Sequence, residues 1–201
     1  MRKFCLWSVV ACIIAGTGCV KEKEVEPEPN TFTSITAVVE NGKNYDSLIE
    51  EAGAIIYSDE ADPRRIKSVA YQNGSFTIDF PETVNDKYLS QINIADGITV
   101  SDVDAKWASV EFGGYQSGQY IGVFYNAKLS KSIYTEAAFL YVDRDCTIKG
   151  SHKKGTITES YNVILKKGWN IIYGTDKGNS ITYISKNPGG LKWYYKSKKT
   201  Q

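Results

Sequence analysis

Few side chains here combine the type and spacing that chemistry demands. His152 is the only histidine, and it stands in Gly150-Ser151-His152-Lys153-Lys154-Gly155, which reads as a polar turn. A zinc site needs at least two more good ligands nearby, and the sequence offers neither a second histidine nor a cysteine pair. His152 therefore reads as an exposed loop residue, and no metal or other cofactor is expected. Cys146 could serve as a nucleophile with His152 as base, but Leu140, Val142, Cys146 and Ile148 share the even positions of one alternating run. Such a thiol points into apolar surroundings, where its pKa rises and it becomes inert.

Carboxylates come in close groups: Asp59, Glu60 and Asp62; Asp102 and Asp104; Asp143 and Asp145. Calcium takes six to eight oxygens from a loop, and Asp-x-Asp supplies only a fragment of that. Asp143 and Asp145 are read as one strand face opposite Cys146, solvated and eased by Arg144. A glycosidase needs two carboxylates facing across a cleft, and no catalytic motif accompanies these. Trp107 is the more informative aromatic. In Lys106-Trp107-Ala108-Ser109-Val110-Glu111-Phe112 the apolar phase runs through Ala108, Val110 and Phe112. Trp107 then shares the other face with Ser109 and Glu111, where with Tyr115 and Tyr120 it could stack on a sugar ring or an apolar partner patch. The alternative is a strand covered on both faces. Patterns for P-loop, dinucleotide, hydrolase-elbow and zinc-protease sites are absent.

The elements that must carry these residues are strands. Lys67 to Phe80 has Asn73-Gly74 between two alternating runs, the strongest short hairpin signal. A two-residue loop there pairs Gln72 with Ser75, Tyr71 with Phe76, Ala70 with Thr77 and Val69 with Ile78. It puts Val69, Tyr71, Phe76, Ile78 and Phe80 on one face. Further strands are expected at 32–40, 54–58, 106–113, 120–127, 136–149, 156–165, 169–174, 180–185 and 191–195. Short helical turns are expected at 46–51 and 85–91, the second capped by Asn85. Trp169 and Trp193 alternate with apolar neighbours and read as packing anchors. Short strands at this spacing predict an all-β fold, an antiparallel β-sandwich, with a calycin-like barrel as the alternative.

The chain has 201 residues with 24 basic and 23 acidic side chains, 42% apolar and 12% aromatic. That composition excludes disorder and a polytopic helical membrane protein. A net charge of +1 gives no electrostatic ground for nucleic acid. The N-terminus has a layout of its own: Met1-Arg2-Lys3, an apolar run from Phe4 to Ala15, then Gly16-Thr17-Gly18-Cys19. This is the plan of a signal peptide, and it resembles a bacterial lipoprotein signal whose cysteine is acylated. Gly16 departs from the usual aliphatic residue there. Val9-Val10-Ala11-Cys12 fits that pattern better but leaves a short apolar run. Cys19 is the preferred site, with plain cleavage near Gly18 as the alternative.

Cleavage before Cys19 also removes Arg2 and Lys3, leaving 183 residues at a charge of −1 with Cys146 as the only other thiol. The domains are then a signal peptide at 1–18, the anchored Cys19 with an acidic, proline-bearing linker at 19–31, and a β-rich domain at 32–201, with a subdivision near 95–105 as an option. Two or more acyl chains suffice for stable anchoring in a lipid bilayer. The acidic stretch after Cys19 resembles the surface-export signal of Bacteroidetes lipoproteins, which implies an outer-membrane, outward-facing protein.

Four segments extend that likeness. Asn73 to Val84, Tyr141 to Gly150, Leu165 to Asn170 and Gly190 to Tyr195 together resemble a group of Bacteroidetes cell-surface lipoproteins. The resemblance implies location and carries no catalytic residues. The expectation is a non-catalytic surface lipoprotein that binds a glycan or partner protein. The alternatives are a barrel-type carrier of a small apolar ligand and, more distantly, a hydrolase accessory or glycosidase-like enzyme.

Overall fold

The computed structural model describes residues 28 to 198, apart from 60 and 94. Cys19, the leader and the linker up to residue 27 lie outside the described residues, as does Glu60 of the first carboxylate group. The fold is all-β, and its large sheet is not closed into a barrel. The first strands are β1 (Ser34–Val38), β2 (Glu51–Ser58), β3 (Ala61–Ala70) and β4 (Ser75–Asp79). Two short strands follow, β5 (Ser90–Gln91) and β6 (Ile98–Val100), and then the long β7 (Lys106–Gln116), β8 (Gln119–Ser130) and β9 (Ile133–Val142). The chain closes with β10 (Cys146–Lys154), β11 (Ile157–Leu165), β12 (Gly168–Asp176), β13 (Ser180–Ile184) and β14 (Lys192–Ser197).

Among the described residues β1 and β4 form a two-stranded sheet, and the other twelve strands form one large sheet. All ladders are antiparallel except that of β11 with β13. The segment near 95–105 carries β6, which joins that same sheet through β10.

Asn73 and Gly74 both have positive φ, 52° and 72°, and Gln72 and Ser75 exchange both backbone hydrogen bonds, as a type I′ turn requires. The expected ladder stops there. β3 stays paired with β2, whereas β4 swings away to β1. The rings explain why: Phe76 lies 4.9 Å from Phe124, 5.9 Å from Trp193 and 6.0 Å from Phe112. Strand β4 can reach those partners only by lying over the large sheet instead of extending it beside β3. The burial phase is as the alternation predicts, with Tyr71, Phe76, Ile78 and Phe80 buried.

The first core therefore fills the space between the two layers. Phe112, Phe124, Phe139, Trp169 and Tyr195 from the large sheet meet Ile35, Ala37, Phe76 and Ile78 from the small one. Each buried Phe or Ile among these contributes about 1.5–3 kcal/mol by burial. Trp193 stacks on Phe139 with ring centroids 5.5 Å apart, and the Trp169 indole donates to the Pro81 carbonyl at 2.6 Å. Both tryptophans are packing anchors.

At the centre of the sheet β7, β8 and β9 are each antiparallel to both of the others. The first part of β7 pairs with β9 from Trp107↔Val142 to Val110↔Phe139. Its second part pairs with β8 from Phe112↔Phe124 onward, and the end of β8 pairs with β9 from Ala127↔Glu136 to Ser130↔Ile133. Three straight strands cannot satisfy this, so each bends and the sheet divides into three arms. One continuous neighbour borders each bent strand across the division: β2 along β7, β14 along β8 and β12 along β9. A second core lies on the opposite face of the sheet from the first. There Leu140 and Val142 of β9 and Trp107 of β7 meet Cys146, Ile148, Val163 and Leu165 of β10 and β11. Strands far apart along the sheet meet in one cluster, so the sheet curls back over its own face.

Other expectations need correcting. The 136–149 run is two strands, because Asp143 accepts from the Lys106 amide and Asp145 from the Lys167 amide, both at 2.8 Å. Those bonds fix a turn at 143–145, so neither aspartate lies on a strand face. His152 lies within β10 and is half-buried. Asn85 does cap the second 3-10 turn (Asp86–Tyr88), accepting from the Lys87 amide. Residues 46–51 form no helix; a 3-10 turn at Gly42–Tyr45 precedes them and β2 begins at Glu51.

A Cβ at Gly74 would sit 2.7 Å from the Lys43 backbone nitrogen, whereas at Gly118, with a similar φ of 75°, it would meet nothing within 4 Å. Gly118→Ala should therefore cost only the left-handed backbone penalty, about 1–2 kcal/mol. Gly74→Ala adds overpacking and should cost about 3 kcal/mol or more. Urea denaturation of the two variants tests this, and equal losses would contradict it.

Candidate functional site

The division of β7, β8 and β9 opens a cleft of about 570 Å³ on the outer face of the sheet. Four strands beside the gap send tyrosines to its lining: Tyr57 from β2, Tyr125 from β8, Tyr134 from β9 and Tyr183 from β13. Three carboxylates line it as well, Glu111, Glu136 and Asp176. The placement follows from phase. Tyr57 lies opposite Ser109, Tyr134 opposite Asp176 and Glu136 opposite Gly174, and opposed residues share a face.

Two of the carboxylates are held in place. Glu136 accepts from the Tyr134 hydroxyl at 2.7 Å, and Glu111 accepts from the Tyr120 hydroxyl at 3.0 Å. Burial, reinforced by these carboxylates, pushes the phenols of Tyr120 and Tyr134 well above their usual range. Tyr125 stacks on Tyr194 at 5.5 Å, and Tyr183 stacks on Tyr161 at 4.7 Å. The cleft thus offers flat rings and fixed acceptors and, among the described residues, no side-chain cation. That combination suits a ligand with hydroxyl donors and an apolar ring face.

The structure does not gather Trp107, Tyr115 and Tyr120 into one platform. Trp107 and Tyr115 share the outer face of β7 but are eight residues apart, roughly 26 Å along a strand. Trp107 is half-buried against the second core. Tyr115 is 7% exposed, beneath the Arg65 guanidinium at 4.3 Å and edge-on to Tyr120. Tyr120 joins the cleft indirectly, through Glu111. Sequence reading missed Tyr57, Tyr125, Tyr134 and Tyr183. The available signal was tyrosine alternating with glutamate in the outward phase, as in Tyr134-Thr135-Glu136.

Comparison with protein-family models, curated proteins and solved structures gives no match.

The other chemical candidates have structural roles. Cys146 is buried in the second core and its thiol is pushed up to about 11, mainly by desolvation. Asp102 accepts from the Asp104 amide and lies 3.6 Å from Arg144. Asp145 pairs with Lys166 at 2.7 Å, and that bond with the Lys167 amide holds its carboxyl below the usual range. Among the described residues no group of three or more histidine, cysteine or carboxylate side chains could hold a metal ion.

Buried tyrosines make the fold sensitive to alkali. Tyr71, whose hydroxyl donates to the Gly42 carbonyl at 2.9 Å, is raised to about 12 by desolvation and by Asp46. A raised phenol pKa stabilises the folded state fully below the unfolded value of about 10, and that contribution is lost as pH climbs through about 12. Stability should fall across this window, with the phenolate absorbance of the buried rings rising together with loss of circular dichroism. Full ionisation near pH 10 with the fold intact would contradict this.

Proposed function

We propose that this chain is a membrane-anchored lipoprotein of the cell envelope, facing outward, whose β-domain binds a neutral glycan without catalysis. The single observation behind the ligand assignment is the cleft where three strands divide, lined by four tyrosines and three carboxylates. Sugar hydroxyls donate to carboxylates, while the apolar face of a pyranose packs on a phenol ring. The absence of side-chain cations from that lining among the described residues argues against an anionic polysaccharide. Glu111 and Glu136 each already accept a tyrosine hydroxyl, which suits fixed acceptors better than an acid–base pair. The anchoring half of the proposal rests on the leader, Cys19 and the acidic linker.

Retention of the exported, non-acylated Cys19→Ser chain on starch, mannan and β-glucan columns tests the ligand class, with heparin as the anionic control. Tyr125→Ala and Tyr134→Ala should each weaken retention on the bound polysaccharide about tenfold, and Trp107→Ala should not. Retention on heparin alone, or insensitivity to both tyrosine substitutions, would overturn the assignment. In cells Cys19→Ser should move the protein from the membrane fraction to the soluble fraction and abolish labelling by a fatty-acid probe.

A further inference from the structure

A second cavity, of about 520 Å³, lies beneath the curl of the sheet and adjoins the tyrosine cleft, with Ser109, Ala138, Phe139 and Tyr183 lining both. Its lining changes character in a regular way along the β10–β11 hairpin. Pairs on the inward face of that hairpin run Ile148↔Val163, Gly150↔Tyr161, His152↔Glu159 and Lys154↔Ile157. Val163 is fully buried, His152 and Glu159 are half-buried, and Lys154 is exposed. The cavity therefore has an apolar floor and a charged lip. Ile98 of β6, opposite Gly150, extends that face, and Trp107 and Leu140 line the cavity from β7 and β9.

The lip is only partly satisfied. Glu159 accepts from the Tyr161 hydroxyl at 3.0 Å and lies 3.8 Å from His152 Nε2. The other ring nitrogen, His152 Nδ1, is buried and has no hydrogen-bond partner among the described residues. Buried polar atoms without a partner are rare, and each calls for an explanation. The Lys154 side chain brings a positive charge to the opening, and beyond the His152–Glu159 pair the lining turns apolar at Ile148, Val163 and Leu165. A space of this size with apolar walls and a few polar groups at one end is the usual form of a small-molecule site.

From this geometry we infer a second binding site, adjoining the glycan cleft, for a free aliphatic carboxylic acid of medium chain length. The tail lies along Trp107, Ile98 and Ile148, and the carboxylate sits at the lip between Lys154 and His152. Glu159 is engaged by the Tyr161 hydroxyl and faces His152 Nε2, which leaves His152 Nδ1 and the Lys154 ammonium to meet a single carboxylate. An esterified lipid lacks the head group that Lys154 pairs with.

Calorimetric titration of the exported Cys19→Ser chain with dodecanoate, below its micelle concentration, tests this. Saturable one-to-one binding is expected, weaker by about fourfold for each methylene removed on going to decanoate and octanoate. Dodecanol and dodecylamine should bind at least about tenfold more weakly than dodecanoate. Lys154→Ala, an exposed substitution that leaves the core untouched, should remove that preference for the acid. Tyr134→Ala, in the other cleft, should leave dodecanoate binding unchanged. No saturable binding of dodecanoate, equal binding of the amine, or a preference for acid that survives Lys154→Ala would each overturn the assignment.

Discussion

Three strands that must each run antiparallel to the other two set the shape of this domain. The demand cannot be met in a flat sheet, so β7, β8 and β9 bend and the ladder parts between them. The borders formed by β2, β14 and β12 keep the parted strands in one body, because each spans the division along a single neighbour. Glycine permits the close approach this requires. A Cβ at Gly122 would lie 2.5 Å from both the Lys196 carbonyl and the Tyr195 hydroxyl, so the end of β14 can lie this close beside β8 only where β8 carries no side chain. The tyrosine cleft is the opening left at the division, and the second cavity is the space left by the curl.

The two cores stand in different relations to function. The aromatic core between the small and large sheets is closed by edge-to-face and stacked rings, among them Phe112 against Phe139 at 5.0 Å and against Trp193 at 5.2 Å. Such packing favours one arrangement of the rings, which suits a scaffold. The second core is smaller and grades into polar surface along one hairpin. Its contacts leave room beside Trp107, and that room is the second cavity.

How much of this could be read from the sequence depended on the range of the deciding interaction. Local decisions were legible. Asn73-Gly74 makes its turn because both residues tolerate positive φ, and the alternation of Phe76, Ile78 and Phe80 declares their buried face. The phase of Trp107, opposite Ala108, Val110 and Phe112, was also readable. What covers that face was not, because the covering hairpin lies about forty residues further along the chain. The end of β9 escaped notice for a similar reason: Asp143-Arg144-Asp145 contains no glycine or proline, and its turn is held by amides of Lys106 and Lys167. The division of the sheet was least legible, since a strand that changes partners midway looks like any other alternating strand.

The entry of the chain carries a mechanical consequence. Residues 30 to 32 lie along the edge of β12 that β13 leaves open: Ile171 N donates to the Asn30 carbonyl at 2.8 Å and Phe32 N to the Trp169 carbonyl at 3.2 Å. Asn30 also donates through its side chain to the Tyr173 hydroxyl at 2.7 Å. A pull on the N-terminal segment along the strand axis strains these bonds together, in shear, and passes the load into β12 and so into the paired border of β9. A pull across the axis opens them one after another, like a zipper. The domain is therefore stiff to traction in one direction and yielding in the other, with Phe32 in the aromatic core as the last point to give.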